Sequence, residues 1–542
     1  MALATLMLEH FGDPHLNDVE VLARLAWLRD IVSPRLERYL GYYRNPVTEL
    51  AAALACGTTA RFMVRPFRQY QEIGLPARIT GFRRGADGGA AATGPVDIQR
   101  KEVVIENDIA WRVDTLIDFA AARLPGITST APDPARRALL NLIVGQILDS
   151  GGGMGGDGTV KLLQELVLQG SICGSAWVHV RPTDELLARF SHDASPPPGP
   201  VDAARWLKLE VIDARRVCAW RGYVTILRDA PVGGVCTTDP ATTGIYQRVR
   251  AWFVGGSAPG GAQEFSFDLI NNSRWQCYQH GVLTQEAANP LGLVPWIRYE
   301  NASDPAAGTR VGPAGSGVVD VGMGDVEPLI GLQDELNTRL SDRANRVTMT
   351  SFQMYLGKGI DDFVKRPIGP GQMWATDNLN AGVETFGGDN AAPSEESHIN
   401  EIREALDKIS GVSPVAAGLV RGKLGNLTSA VALRLTLIAL LARTERKRAN
   451  LSRLMSDVVR IALEILNRSG VFKTAPEERA IDVNWPTALP ESDMDRLAEA
   501  QTKLALGLPR QVVLTELGYG ELVNPSKPAP GLSTASPGAA TG

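Results

Sequence analysis

The sequence predicts an α+β fold, with long helices towards both ends and a mostly antiparallel β region inserted between them. Three observations predict it. Apolar residues recur at helical spacing through residues 16–43, 107–124, 134–148 and 159–169. From about 175 to 300 the chain changes to short runs of β-branched and aromatic residues separated by Pro and Gly clusters. Helical spacing then returns at Asp325 and again at Ser429.

The first helix carries Val19, Leu22, Leu25, Ala26 and Leu28 near one face, and Pro34 is expected to interrupt it. Residues 74–98 are rich in Gly and Ala and read as loop. Asn107 or Asp108 caps the second helix and Pro125-Gly126 stops it. In the β region the expected strands are Ala176–Val180, Leu207–Ile212, Tyr223–Leu227, Ile245–Val254 and Phe265–Leu269. From Asp325, residues Val326, Leu329, Leu336, Leu340, Ala344 and Val347 make one apolar stripe, with Asp334, Arg339, Asp342, Arg343 and Arg346 on the remainder.

Residues 349–393 contain three short strand-like runs, carrying Phe352 and Tyr355, Trp374, and Phe386. These isolated strands could pair across copies of the chain, because isolated strands leave unpaired edges. An acidic helix follows over 394–410, with Glu395, Glu396, Glu401, Glu404 and Asp407 outnumbering Arg403 and Lys408. Gly411, Pro414, Gly418, Gly422 and Gly425 then break any helix, and this segment's cations are Arg421 and Lys423. A helix from Ser429 to Arg468 would reach roughly 60 Å if unbroken. Within it, the cluster Arg443, Glu445, Arg446, Lys447 and Arg448 is expected at solvent or a subunit boundary. Residues 490–518 read as a helical hairpin, and the Pro, Ala, Ser and Gly tail from Pro525 reads as flexible.

Composition excludes several functions. A formal net charge of -5 argues against tight groove-reading of nucleic acid, which needs a basic excess. The five cysteines are scattered without C-x-x-C spacing, so reduced, mostly buried thiols are expected, with no metal and no cofactor. There is no basic n-region before an apolar core, so no signal peptide is expected. The longest apolar stretch, Leu435–Ala442, lies between Arg434 and Arg443 and is too short to span a membrane.

Two glycine patterns were weighed for nucleotide binding. Gly153, Gly155 and Gly158 fit G-x-G-x-x-G, but helix rather than strand precedes them. Gly418–Leu424 lacks the spacing and the Ser or Thr of a phosphate loop. No G-x-S-x-G occurs, so no catalytic site assembles and no enzyme is expected.

Several segments, in order, resemble the portal family of tailed bacteriophages. They are Leu36–Tyr43, Asn107–Asp114, Asn289–Ile297 with Glu300-Asn301, Asp325–Asn337 with Ser341–Asn345, Asn426–Leu433, and Trp485 with Pro490 to Leu517. Two departures are Ala430, where many relatives carry Gly, and Gly322-Met-Gly324, where a Ser is common before Asp325.

The resemblance implies a portal fold with long stem and wing helices and a small α/β clip. It implies a wing over 1–324, a first stem helix over 325–348, a clip over 349–393 and a second stem helix over 394–410. A tunnel loop would occupy 411–428, a long wing helix 429–470, a crown-like C-terminal part 471–524 and a flexible tail 525–542. Twelve copies would form a ring channel at one capsid vertex for packaging, retention and ejection of double-stranded DNA. The implied partners are DNA held without sequence preference, the terminase large subunit, a head-tail adaptor and the major capsid protein. Its place would be the virion, after assembly in host cytoplasm. Arg421, Lys423 and Asn426 would face the DNA, Phe352, Tyr355, Trp374 and Phe386 would build the clip, and Asp334, Arg339 and Arg343 would mark the stem. Other readings are another ring-forming connector or adaptor, or a nucleotide-dependent enzyme.

Overall fold

A computed structural model describes residues 18–49, 67–80, 102–152, 158–191, 199–220, 223–228, 266–279, 282–302, 322–351, 354–358, 380–386, 393–417, 430–489, 493–507, 510, 513 and 514. The chain divides into a unit spanning residues 1–485 and a second from Pro486 onward.

The first unit begins with α1 (Asp18–Trp27) and α2 (Ser33–Arg44), joined by a π-helical turn over Leu28–Val32. Pro34 therefore does not break the rod as the sequence suggested. Its ring sits in the first turn of α2, where no N–H is required, and the wider π turn absorbs the mismatch. A short hairpin, β1 (Val47–Glu49) with β2 (Phe67–Gln69), follows. Helix α3 (Asp108–Ala121) starts where expected, with the Asn107 side chain accepting from the Ala110 amide. Strand β3 (Gly126–Ser129) leads to α4 (Pro134–Asp149), capped by Asp133, and then to α5 (Gly158–Cys173).

The β region has two antiparallel sheets. One has the order β11-β4-β5, built from β4 (Ser175–Pro182), β5 (Leu207–Ile212) and β11 (Trp296–Glu300). The other has the order β10-β9-β8-β7-β6, from β6 (Val217–Trp220), β7 (Tyr223–Leu227), β8 (Phe267–Ile270), β9 (Arg274–Gln279) and β10 (Val282–Ala288). The expected strand Ile245–Val254 lies outside the described residues. Cys173, Cys218 and Cys277 are free and buried, and burial pushes the Cys218 thiol up to about 11.

Helix α6 (Ile330–Ser351) begins five residues later than Asp325, after a 3-10 turn over Glu327–Leu329. The hairpin β12 (Met354–Lys358) and β13 (Gly382–Phe386) comes next. Its two strands pair with each other in antiparallel register, from Met354 opposite Phe386 to Lys358 opposite Gly382. Then come α7 (Pro393–Ser410), α8 (Ala430–Thr436) and α9 (Ile438–Arg468). The expected single helix from Ser429 is thus broken at Leu437, whose backbone leaves the helical region at φ -97° and ψ 9°. Unbroken, α9 itself spans about 46 Å.

Strand β14 (Ile481–Asn484) pairs back onto β3 and ties the end of this unit to its beginning. Sequence reading did not find it, because four residues carry too little alternation to register. In the second unit, α10 (Asp493–Ala505) is the first arm of the expected hairpin. The tail from Pro525 lies outside the described residues.

Within the first unit, one apolar core joins the N-terminal helices, the β region, α6, α7 and α9. Leu25, Leu36, Ile109, Leu140, Leu163, Val178, Leu329, Leu406, Leu451 and Leu463 all belong to it. The two stretches on either side of the β12–β13 hairpin are therefore seated on the same core as the N-terminal helices. Among the described residues, no helix is long and apolar enough to cross a membrane.

Candidate functional site

The candidate site is the run from α6 to α9, which is held to the rest of its unit by polar groups as well as by packing. Along α6, Gln333, Asn337, Ser341 and Asn345 recur every fourth residue and so share one face. They face the extended segment 102–108. The Asn345 side chain accepts from the Glu102 amide at 2.9 Å, Ser341 from Val104 at 3.0 Å, Asn337 from Glu106 at 3.0 Å and Gln333 from Asp108 at 3.1 Å. Four helical residues rise about 6.0 Å and two extended residues span about 6.6 Å, so the two repeats stay in step. Asn345 and Gln333 also donate to the Glu102 and Glu106 carbonyls. The helix side chains thus replace a neighbouring strand, which satisfies backbone groups that burial would otherwise leave unpaired. Asn337 continues inward to the buried Gln71, which donates to the Tyr42 carbonyl and to Asn107.

Two charged nodes hold the ends of α6 and α7. In the first, Lys447 on α9 is buried, with its ammonium 2.6 Å from Asp325 and 2.8 Å from the Ser171 hydroxyl, and bonded to Asn301. Arg443, one turn earlier, lies 3.3 Å from the other Asp325 oxygen and donates to the Ile409 carbonyl. Burial pushes the Asp325 carboxyl upward, but the charges and hydrogen bonds of Lys447 and Arg443 outweigh it and hold the group below the usual carboxylate range. Burial also holds Lys447 below the usual ammonium range, against the pull of Asp325.

Asp325 can reach α9 because the chain before it passes close to the start of β4. Gly174 (φ +83°) and Gly322 (φ +75°) meet there, and a Cβ on Gly174 would lie 2.6 Å from the Gly322 carbonyl carbon. In the second node, the buried Arg112 on α3 pairs with Asp407 at 2.7 Å and Asp108 at 3.3 Å. It also donates to the Val412 carbonyl at 2.9 Å and Ser410 at 3.1 Å.

The predicted site residues fall into three groups. On α6, Asp334 accepts from the Tyr42 hydroxyl at 2.7 Å, Arg339 pairs with Glu335 at 2.6 Å, and Arg343 is exposed. On α7, Glu396, Glu401 and Glu404 are exposed, whereas Glu395 pairs with Arg346 and Asp407 with Arg112. Two of the five carboxylates of this acidic helix are thus committed to ion pairs within the chain. In the hairpin, Tyr355 stands opposite Thr385 and Phe386 opposite Met354. Phe352, Trp374, Arg421, Lys423 and Asn426 lie outside the described residues.

The charged cluster of α9 departs from expectation. Glu445 and Arg446 are exposed, but Lys447 and Arg448 are buried, and Arg448 donates to the Phe119 carbonyl at 3.1 Å and stacks over Trp485. The sequence places the run at solvent or a subunit boundary because charge runs are usually exposed. Spacing held the contrary signal: Leu440, Thr444, Lys447, Leu451, Leu454 and Val458 recur at three or four residues and form one buried face.

Residues 266–518 match the family model described as phage portal protein, SPP1 Gp6-like. The matched stretch takes in the segments from Asn289 onward that resemble the portal family of tailed bacteriophages. Among solved structures, a chain of the neck of an empty gene transfer agent particle computed with C6 symmetry matches at 13% identity and a TM-score of 0.40, over 76% of this chain and 90% of that one. A chain of a native gene transfer agent virion matches at 12% identity and a TM-score of 0.35, over 75% and 93% respectively. No curated protein compared with the chain matches it.

Proposed function

We propose that this protein is the portal subunit of a tailed-phage-like particle. It forms a ring channel at one capsid vertex, through which double-stranded DNA is packaged, retained and ejected. The observation that carries this reading is the portal-family match across 266–518, which takes in α6, the β12–β13 hairpin, α7, the 411–428 segment and α9.

On this reading the wing spans 1–324, α6 and α7 are the stem helices, and residues 349–393 are the clip. The clip docks the terminase large subunit and later the head-tail adaptor, and the major capsid protein surrounds the ring. Twelve copies close the ring through head-to-tail contacts, since a heterologous interface closes only when its rotation divides a full turn. The acidic collar is carried by Glu396, Glu401 and Glu404, the three exposed carboxylates of α7. A repeated negative surface keeps phosphates from sticking while DNA moves.

Residues 411–428 are the channel loop, in which Arg421 and Lys423 touch DNA phosphates without reading sequence. The test replaces both cations with Glu. The double variant should assemble as the wild type does but package less DNA or fail to retain it. Wild-type packaging and retention would reduce the segment to a plain connector.

A further inference from the structure

We propose that Arg112 and Arg443 are positioning residues that fix the exit of α7, so that the part of the chain held in place runs through Val412. The link to DNA retention rests on the reading of residues 411–428 as the channel loop.

A helix end leaves its last carbonyls without partners and carries partial negative charge. At α7 these demands are met from two sides. Gly411 adopts φ +68° and its amide donates to the Asp407 carbonyl at 2.9 Å, which is a left-handed helix cap. Arg443 reaches from α9 to the Ile409 carbonyl. Arg112 reaches from α3 to the Val412 carbonyl and the Ser410 hydroxyl, and pairs with Asp407. Ser410 and Val412 are buried as a result, and both guanidiniums lie where a helix C-terminus favours cations. A side chain at residue 411 would collide with the clamp, since a Cβ there lies 2.8 Å from Arg443 Nε.

Each arginine is also held by a further contact, to a carboxylate. Arg443 shares Asp325, in the segment leading into α6, and Arg112 shares Asp108 in the first turn of α3. The exit of α7 is therefore referenced to α3, α9 and the approach to α6 at once. The nominal loop start at Gly411 belongs to the fixed part. Arg443 presents two separate nitrogens, one to the Asp325 carboxylate and one to the Ile409 carbonyl, a spread that a compact ammonium on a different stem does not match in geometry.

The test uses Arg443→Met and Arg443→Lys in the full chain, because the fully buried Arg112 risks global unfolding on replacement. Hydrogen exchange is followed at residues 409–412 and, as an internal reference, along α3. Arg443→Met should speed exchange at 409–412 on the order of tenfold while α3 keeps its protection, with Arg443→Lys intermediate. DNA retention should fall in Arg443→Met while assembly persists. Unchanged exchange at 409–412, or an equal rise along α3, would overturn the proposal. If Arg421 and Lys423 prove dispensable, the channel-loop reading fails by itself, and the exchange result still decides whether the arginines hold the end of α7.

Discussion

Lys447 is an ammonium placed inside the core, where it is tolerated because Asp325, Asn301 and Ser171 all turn towards it. Removing one member of such a node leaves the others uncompensated, which costs more than the node contributes. Lys447→Met should destabilise the protein by about 3–5 kcal/mol in denaturant melts. The double variant Lys447→Met with Asp325→Asn should lose clearly less than the sum of the two single changes. Additive losses would mean the two groups act independently.

His179 gives a separate handle on pH. Its ring stacks on Trp296 with centroids 4.3 Å apart, and burial together with the nearby Arg181 charge lowers it to about 4. A group depressed in the folded state contributes stability above its unfolded value, near 6.5, and loses it as pH falls towards 4. His179→Phe keeps the stacking but removes this titration. Its melts should lose less stability than the wild type between pH 6.5 and 4, by up to about 3 kcal/mol. Parallel pH profiles would contradict the burial argument.

The ladder from α6 makes a prediction for a whole element. Asn337→Leu keeps the helix and its volume but strands the Glu106 amide and breaks the link to Gln71. A buried unpaired donor costs about 1–3 kcal/mol, so the variant should melt earlier and exchange should rise across 102–108 before it rises in β4 or β5. Exchange that rises evenly would show the ladder to be dispensable.

The same element shows what sequence patterns reveal. The buried positions Val326, Leu329 and Leu336 were visible as an apolar stripe, and Asn107 was visible as a cap. Gln333, Asn337 and Ser341 were not, because a polar stripe at fourfold spacing looks like a solvated face until a strand-like segment is found against it. Lys447 and Arg448 were obscured similarly, since burial of a charge depends on partners far away in sequence. The break at Leu437 carries neither Pro nor Gly, so no local signal marked it.

At the scale of the molecule, acidic and basic groups divide between α7 and the 411–428 segment. Three exposed carboxylates on α7 stand next in sequence to a segment whose cations are Arg421 and Lys423. On the proposed reading, a closed channel would turn this into a repelling collar adjoining a band of weak phosphate contacts. Salt should suppress those contacts, because exposed charges are screened within roughly 8–10 Å at physiological ionic strength. All of this depends on closure, since a single copy has no channel for these groups to line. The decisive measurement is electron microscopy of the purified chain, with its mass in solution determined alongside. The account predicts closed rings with a central hole and a mass that is a whole multiple of the 58.2 kDa chain. A monomer at all concentrations, with no rings in the images, would contradict it.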